Sequence, residues 1–201
     1  RGLELKEANN GTVTTISVGG PDYDPIIRKA LAIGADDAVR IDAQPTDSYQ
    51  VASEIANYAK DNAYDMVLCG KETIDYNGSQ VGGMIAELMD LPYVSLAVKL
   101  DVNGTVTTIE RDVQGGTEVV EVSGAFVLSA SKGMAEQRIP NMRGIMQART
   151  KPLTVVPASG SSTMTEVVSY ELPPAKTACK MVDAEDMDEL ISLLHNEAKV
   201  I

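Results

Sequence analysis

Residues 70–81, which read GKETIDYNGSQV, combine side chains that commonly contact a phosphate group. Lys71 supplies a cation, while Gly78 and Ser79 would let a ligand approach the backbone with a hydroxyl group beside it. The first turn of a helix also favours an anion, because its free N–H groups and the positive end of the helix dipole point towards the ligand. The 70–81 loop is therefore a candidate phosphate-binding site.

An ordinary connection between a strand and a helix explains the same loop. Asn77 is a residue type that often caps a helix, and Lys71 would then extend into solvent. Because helix caps of this kind are common, the residue types alone leave both interpretations open.

A second glycine turn, residues 17–22 (SVGGPD), also follows a strand-like run and precedes a helix. Because ligands collect beyond the carboxyl ends of parallel strands, we expect this glycine turn and the 70–81 loop to follow adjacent strands and face one ligand. The turn is similar to the SGGxDS phosphate loop of nucleotide pyrophosphatase-type ligases, but Val18 and Tyr23 break that pattern. An adenine-nucleotide hydrolase or ligase is therefore the weaker alternative.

The elements that carry these loops alternate between strand and helix spacing over residues 12–90. Such alternation indicates an α/β fold with a mostly parallel sheet. We expect a three-layer arrangement of the adenine-nucleotide α-hydrolase-like or flavodoxin-like type. The predicted strands are 12–18, 38–41 and 66–69, and the predicted helices are 25–33 behind a cap at Asp24, one that Asp47 caps, and 78–90.

Beyond residue 94 the pattern changes to strands joined by turns at Gly104 and Gly115, which predicts a β-hairpin extension. Residues 152–174 are rich in Ser, Thr and Pro without clear periodicity, and acidic residues at 183–186 mark the start of a terminal helix. We therefore predict two parts: a nucleotide-binding α/β domain at residues 1–151, and an extended arm with a terminal helix at residues 152–201.

Residues 131–151 concentrate positive charge in an otherwise acidic chain, and methionines are interleaved with it. Methionine is flexible and polarisable, so a Met-rich surface framed by basic residues suits docking to varied partners. A helix that packs its apolar face into the core explains the pattern as well, and the pattern alone leaves both open. The residues concerned are Lys132, Met134, Arg138, Met142, Arg143, Ile145, Met146, Arg149 and Lys151.

The composition excludes several classes of protein. The formal net charge is -12, which repels nucleic-acid phosphates, and no uninterrupted apolar run approaches the roughly 20 residues that cross a bilayer. We therefore expect neither a nucleic-acid partner nor membrane insertion. His195 is the only histidine, and Cys69 and Cys179 lie far apart in the sequence, so we predict no metal site and assign no catalytic residue.

These residues resemble the β subunits of electron transfer flavoproteins, and the resemblance covers nearly the whole chain. The nucleotide loop of that family usually reads GKQAIDxDxxQT, and residues 70–81 stand in its place. The match continues through residues 30–36 (ALAIGAD) and the signature region at residues 109–118 (IERDVQGGTE). Gln114 stands where an acid is customary, and Ala125 replaces a proline, but neither lies in the nucleotide loop.

The resemblance implies an electron-carrier subunit rather than an enzyme. Members of the family pair with a larger α subunit that carries the redox-active FAD, while the β subunit usually holds AMP as a structural ligand. Electrons pass from acyl-CoA dehydrogenases towards a quinone oxidoreductase and the respiratory chain, in the bacterial cytoplasm or in the mitochondrial matrix of a eukaryote. The residues that would line the nucleotide are Val18, Gly70, Lys71, Glu72, Thr73, Ile74, Asp75, Tyr76, Asn77, Gly78, Ser79, Gln80 and Val81.

Two departures from the family pattern bear on the ligand. Val81 replaces the usual threonine, which removes a hydroxyl partner for the AMP phosphate. Gly78 and Ser79 replace bulkier residues, as in the electron-bifurcating members that bind a second FAD in this place and use NADH. The resemblance therefore implies an adenine nucleotide, with AMP or FAD as the alternatives.

The resemblance also implies surfaces for partner proteins. Met142 aligns with a protruding apolar residue through which family members contact acyl-CoA dehydrogenases, and Arg143, Ile145 and Met146 lie beside it. Residues 152–201 look like the C-terminal extension that reaches across the α subunit. Residues 1–9 read like the second half of a helix, so we expect a preceding segment that supplies the first strand of the sheet.

Overall fold

The computed structural model describes residues 1–74, 76–176 and 178–201. Asp75, which belongs to the predicted nucleotide loop, lies outside the described residues. The chain forms two compact units, Arg1–Glu166 and Val167–Ile201. The sheets and their covering helices belong to the first unit.

The described strands of the first unit form two sheets. They are β1 (Thr14–Val18), β2 (Asp37–Asp42), β3 (Met66–Gly70), β4 (Tyr93–Asn103), β5 (Val106–Val113), β6 (Gly116–Ser123), β7 (Phe126–Ala130) and β8 (Leu153–Pro157). The first sheet has the order β1-β2-β8 and is parallel throughout. The second has the order β3-β7-β4-β5-β6, in which the first three strands pair in parallel and the last two continue as the predicted hairpins.

Helices cover both faces of these sheets, which confirms the three-layer α/β fold. They are α1 (Gly2–Asn9), α2 (Asp24–Ile33), α3 (Ser48–Lys60), α4 (Val81–Met89) and α5 (Met142–Ala148). In the first sheet, Ala38 packs against Ile27 and Leu31 of α2, whereas the alternate residues Val39 and Ile41 pack towards α3. One helix layer therefore lies on each side of β2, because successive strand side chains point to opposite faces.

Helix α3 packs against both sheets. Its Ala52 is buried with Val127 of the second sheet, while Val51 packs with the cluster of the first sheet and Ile55 packs against both clusters. The predicted cap of this helix is confirmed, because the Asp47 side chain accepts a hydrogen bond from the N–H of the third helical residue (2.7 Å).

Two predicted helix starts differ from the structure. Helix α4 begins at Val81 rather than Gly78, because Asn77 adopts a left-handed conformation (φ 50°) and donates its N–H to a carbonyl four residues earlier (2.9 Å). Asp24 lies within the first turn of α2 and does not cap it; its carboxylate pairs with Arg40 instead (2.8 Å).

The segment predicted as an arm contributes a strand to the first sheet. Strand β8 pairs with β2 from Leu153 opposite Ala38 to Pro157 opposite Asp42, so the prediction of an arm is wrong at these residues. The division of the chain at residue 151 stays a prediction.

The second unit consists of an irregular segment followed by helix α6 (Met187–Ser192) and a π-helical turn (Leu193–Ala198). Asp186 caps α6 by accepting a hydrogen bond from the Glu189 N–H (3.0 Å), so the predicted helix exists but begins three residues after the start predicted at Asp183. Several apolar side chains before α6 are almost fully exposed: Val168, Tyr170, Leu172 and Met181.

A buried carboxylate of α3 holds the segment that follows β8. Glu54, which is 2% exposed, accepts hydrogen bonds from the backbone N–H groups of Ser159 (2.7 Å) and Ser161 (3.0 Å). Burial raises the pKa of the Glu54 carboxyl, but these N–H donors and the two serine hydroxyls together lower it by more. The pKa of Glu54 in the folded chain therefore lies below its ordinary value.

We expect the variant Glu54→Gln to lower the free energy of unfolding by ~1–3 kcal/mol at pH 7. The amide oxygen of glutamine can accept from one of the two N–H groups, but its NH₂ group would then face the other N–H, donor against donor. A carboxyl whose pKa is lowered by folding stabilises the chain above its unfolded pKa of about 4.3 and loses that contribution as the pH falls through the folded pKa. Urea unfolding from pH 7 to pH 3 measures this difference. The exposed Glu121→Gln is the control, and an equal difference between Glu54→Gln and the unsubstituted chain at every pH would contradict the expectation.

Candidate nucleotide site and docking helix

The 70–81 loop leaves the second sheet at the carboxyl edge of its parallel strands. Gly70 at the end of β3 is in register with Ala130 at the end of β7, and the Lys71 N–H donates to the Ala130 carbonyl oxygen (3.1 Å). The sheet therefore directs the loop to the edge at which ligands collect in parallel α/β proteins.

The side chains of this loop face solvent at nearly every described position. Ile74 is 95% exposed and Tyr76 is also largely exposed, although both are side chains that usually seek burial. Lys71 forms an ion pair with the adjacent Glu72 (3.0 Å between Nζ and Oε1), and exposed pairs of this kind contribute little to stability. Lys71 can therefore turn towards an anion at small cost.

The 70–81 loop leads into a first turn of helix α4 that has no side-chain cap among the described residues. Gln80 precedes the helix, and among the described residues no side chain caps its first N–H groups. Ser79 has a left-handed φ of 28°, and the Tyr76 ring lies so close to Gly78 that a Cβ there would come within 2.7 Å of a ring carbon. The loop therefore brings small residues, rather than bulky ones, to the start of α4.

The glycine turn leaves β1 at the carboxyl edge of the first sheet. Val18 is buried with Val39 and Ile41, so a ligand would meet the backbone of the turn rather than most of this side chain. The Gly19 N–H donates to the Ile41 carbonyl oxygen (3.0 Å), and the Tyr23 ring covers Gly19 so closely that a Cβ there would lie 2.8 Å from it. The conformation of the turn is therefore closely constrained.

A buried guanidinium group ties the glycine turn to β2 and α2. Arg40 is 4% exposed; its Nη1 donates to the Gly19 carbonyl oxygen (2.9 Å) and to Asp42 (2.6 Å), and its Nε donates to Asp24 (2.8 Å). The hydrogen bond to Asp42 is the main reason that the pKa of Arg40 is raised, against the effect of burial. Sequence reasoning missed this residue, although a charged residue inside the apolar run AVRI was a visible signal.

The two loops do not follow adjacent strands, so that prediction is wrong. The glycine turn follows β1, which pairs only with β2 among the described strands, and the 70–81 loop follows β3, which pairs only with β7. Each loop thus lies on the edge strand of a different sheet. The packing of α3 against both sheets connects them instead.

Helix α5 presents most of the predicted docking residues to solvent. Met142 is 74% exposed, Met146 is similarly exposed, and Arg143 and Ile145 are also exposed. Met134 is different: it lies buried in the core of the second sheet and is not part of the exposed methionine surface. The sequence pattern could not separate a methionine that fills the core from those that protrude.

Helix α5 rests directly on α2. A Cβ on Gly144 would collide with the Ala32 carbonyl oxygen, so the glycine permits a close approach of the two backbones. Arg28 of α2 donates from Nη1 to the carbonyl oxygens of Ala148 (2.7 Å) and Lys151 (2.6 Å), which caps the end of α5. These contacts with α2 therefore fix the position of α5, the helix that carries the exposed methionines.

Other types of site find no support within the described ranges. No group of three or more His, Cys, Asp and Glu residues there could hold a metal ion. Among the same residues, no helix combines the length and the apolar character that crossing a membrane requires. Burial raises the pKa of the Cys69 thiol, so the thiolate that nucleophilic chemistry needs is disfavoured.

The chain has open, mostly parallel sheets between helix layers, and exposed loops follow the strands. This is the architecture of α/β proteins in which ligands bind at the carboxyl ends of the strands. The family profile described as "Electron transfer flavoprotein domain" matches residues 1–161. "Electron transfer flavoprotein subunit beta" of Bacillus subtilis is 36% identical over 213 residues, which cover 99% of this chain and 83% of that protein. The human protein of the same name is 30% identical over 197 residues, with 94% and 76% covered. The chain belongs to the electron transfer flavoprotein family, among its β subunits.

We expect Gly144→Ala to destabilise the first unit by ~1–3 kcal/mol, because the added methyl group must push α5 away from α2. Gly83→Ala is the matched control: the methyl group would meet the Tyr93 ring at 3.5 Å, an ordinary contact, and would improve helix propensity by up to ~1 kcal/mol. Thermal unfolding of both variants tests this contrast. Equal changes in melting temperature would show that the close approach of α5 to α2 does not constrain residue 144.

Proposed function

We propose that this chain, as the β subunit of an electron transfer flavoprotein, binds AMP between the 70–81 loop and the glycine turn and pairs with an α subunit that carries FAD. The observation that carries the proposal is the exposed loop at the end of β3, which leads into a first turn of α4 that no described side chain caps. Such a turn offers N–H donors and the positive end of a helix dipole to a phosphate group.

The distribution of charge supports one orientation for the nucleotide. Asp22, Asp24 and Asp42 surround the glycine turn, where Arg40 supplies the neighbouring positive charge and is already engaged by two of them. A phosphate group there would be repelled, whereas Lys71 lies at the start of the 70–81 loop. The phosphate therefore belongs at α4, and the uncharged parts of the nucleotide belong near Val18.

The nature of the nucleotide depends on residues 78–81. The Val81 side chain packs towards the apolar cluster of Ala52 and Ile85, so backbone N–H groups and Lys71, rather than a hydroxyl at residue 81, would hold the phosphate. AMP needs no more than this, and the exposed Ser79 leaves room for a larger ligand. An electron-bifurcating subunit with FAD in this place and NADH as a partner substrate is therefore the second candidate.

The docking surface supports the remaining part of the proposal. Exposed methionines on a firmly seated helix suit transient contact with acyl-CoA dehydrogenases and a quinone oxidoreductase, in the bacterial cytoplasm or the mitochondrial matrix of a eukaryote. The exposed apolar side chains of residues 167–201 suit burial against the α subunit. The chain thus serves as an electron-carrier subunit and not as an enzyme in its own right.

The nucleotide content of the heterodimer tests the proposed ligand. The purified pair is denatured, and the released nucleotides are separated by chromatography and quantified against protein. One FAD with one AMP per heterodimer is the expected result, because FAD resides mainly in the α subunit. Two FAD per heterodimer would contradict the AMP assignment and favour the bifurcating alternative. One FAD alone would contradict the proposed nucleotide site. ATP turnover by the protein would instead favour the hydrolase or ligase hypothesis.

We expect Met142→Ala to raise the KM for the flavoprotein in acyl-CoA dehydrogenase assays about tenfold, because an exposed apolar anchor contributes disproportionately to docking. The nucleotide content should stay unchanged. Met164→Ala, which removes a similarly exposed methionine outside α5, is the control. If both variants are reduced at the rate of the unsubstituted protein, the anchor lies elsewhere.

A further inference from the structure

The peptide bond between Gly19 and Gly20 has a fixed orientation. The Gly19 carbonyl oxygen accepts a hydrogen bond from Arg40 Nη1 (2.9 Å), and the guanidinium group is buried. In a trans peptide the carbonyl and the following N–H point in opposite directions, and no described peptide bond of the chain is cis. The Gly20 N–H therefore points away from Arg40.

The surroundings place that N–H at the ligand edge. Gly19 is buried, whereas Gly20 is half-buried and begins the turn that leaves the carboxyl end of β1. Gly20 has a φ of -77° and a ψ of -178°, an extended conformation that continues the strand direction. Gly20 therefore lies at the edge at which parallel α/β proteins bind their ligands.

The hydrogen bonds of Arg40 keep this orientation in place. Two glycines in sequence would otherwise allow the peptide plane to rotate, since neither carries a Cβ that restricts it. Arg40 is in turn held by Asp24 at the start of α2 and by Asp42 at the end of β2. Two elements, β2 and α2, thus hold the guanidinium group that binds this carbonyl.

We propose that Arg40 is a positioning residue for the nucleotide site: it holds the Gly19 carbonyl inward, so that the Gly20 N–H donates to an uncharged oxygen or ring nitrogen of the bound adenine nucleotide. This inference rests on the proposed function and goes beyond it by naming a donor and the residue that aims it. A phosphate oxygen is the wrong acceptor here, because Asp22, Asp24 and Asp42 surround the turn.

The residue at position 20 provides the sharpest test. Gly20→Pro removes the N–H and is compatible with the observed φ, whereas Gly20→Ala adds a Cβ but keeps the N–H. In both variants the new carbon approaches the exposed carboxylate of Asp22, which can move aside. Proline also places its Cδ on the nitrogen, so Gly20→Pro removes the donor and fills the space in front of it, whereas Gly20→Ala does neither.

The experiment measures the dissociation constant of AMP by calorimetry on the heterodimer after its nucleotide has been removed. We expect Gly20→Pro to raise it about tenfold or more and Gly20→Ala to raise it by about threefold at most. Arg40→Met should match Gly20→Pro, and Arg40→Lys should fall between Arg40→Met and the unsubstituted protein, because lysine keeps the charge but not the planar set of donors.

Two further variants separate positioning from loss of structure. Leu31→Ala opens the core beside α2, and Lys99→Met removes an exposed positive charge from the hairpin; both should leave the dissociation constant unchanged. A spectroscopic measurement adds a second readout: in protein labelled with ¹⁵N-glycine, AMP should shift the Gly20 amide resonance in the unsubstituted heterodimer but not in Arg40→Met.

The outcomes distinguish this inference from the proposed function. Equal dissociation constants for Gly20→Pro and Gly20→Ala, or an increase in Leu31→Ala as large as that in Arg40→Met, would overturn the positioning role while leaving AMP binding intact. If the unsubstituted heterodimer binds neither AMP nor FAD in this subunit, the proposed function and the inference fail together. If FAD occupies the site, the same series is titrated with FAD, and the expected order of the variants is unchanged.

Discussion

Packing of helix α3 between the two sheets is the constraint on which the arrangement of the candidate site depends. The described strands fall into separate sheets, so no strand pairing among them fixes the end of β1 relative to the end of β3. Apolar side chains of α3 do this instead: Ala52 is fully buried, and Ile55 packs against the clusters of both sheets. Burying an aliphatic side chain such as that of Ile55 contributes on the order of 1–3 kcal/mol, which helps to hold the two proposed ligand loops on one framework.

The two loops divide the chemistry of the site between them. The 70–81 loop is exposed, is rich in backbone donors at α4 and carries Lys71, all of which suit an anion. The glycine turn is constrained by Tyr23 and Arg40 and lies among carboxylates, which suits an uncharged acceptor. A nucleotide, with a phosphate at one end and a base at the other, fits this division of charge.

The sequence predicted the features that depend on local chemistry. The alternating spacing of apolar residues identified the α/β class, and the side chain of Asp47 caps the helix that it was predicted to start. The terminal helix was predicted from its acidic residues, but it begins after Asp186 rather than at Asp183. The start of α4 was predicted too early because Asn77, a good cap by type, is used in a left-handed turn. Propensity at a single residue cannot distinguish these two uses.

The features that the sequence did not predict depend on contacts between distant residues. Strand β8 forms because β2 offers it an edge, and Met134 is buried because the second sheet leaves space for it. Arg40 resembles a solvent-facing residue of a strand, yet the carboxylates of Asp24 and Asp42 stabilise its charge in the interior. For the candidate site itself, the 70–81 loop became more than one of two alternatives only through its resemblance to a family.

Amide hydrogen exchange of the heterodimer, with and without added AMP, tests the central claim that both carboxyl edges contact one nucleotide. The experiment follows peptides that cover residues 70–81 and residues 17–22 after the native nucleotide has been removed. Protection of both segments on adding AMP is the predicted result, because each supplies backbone N–H groups to the ligand. Binding of AMP that protects neither segment, or only one of them, would contradict the account.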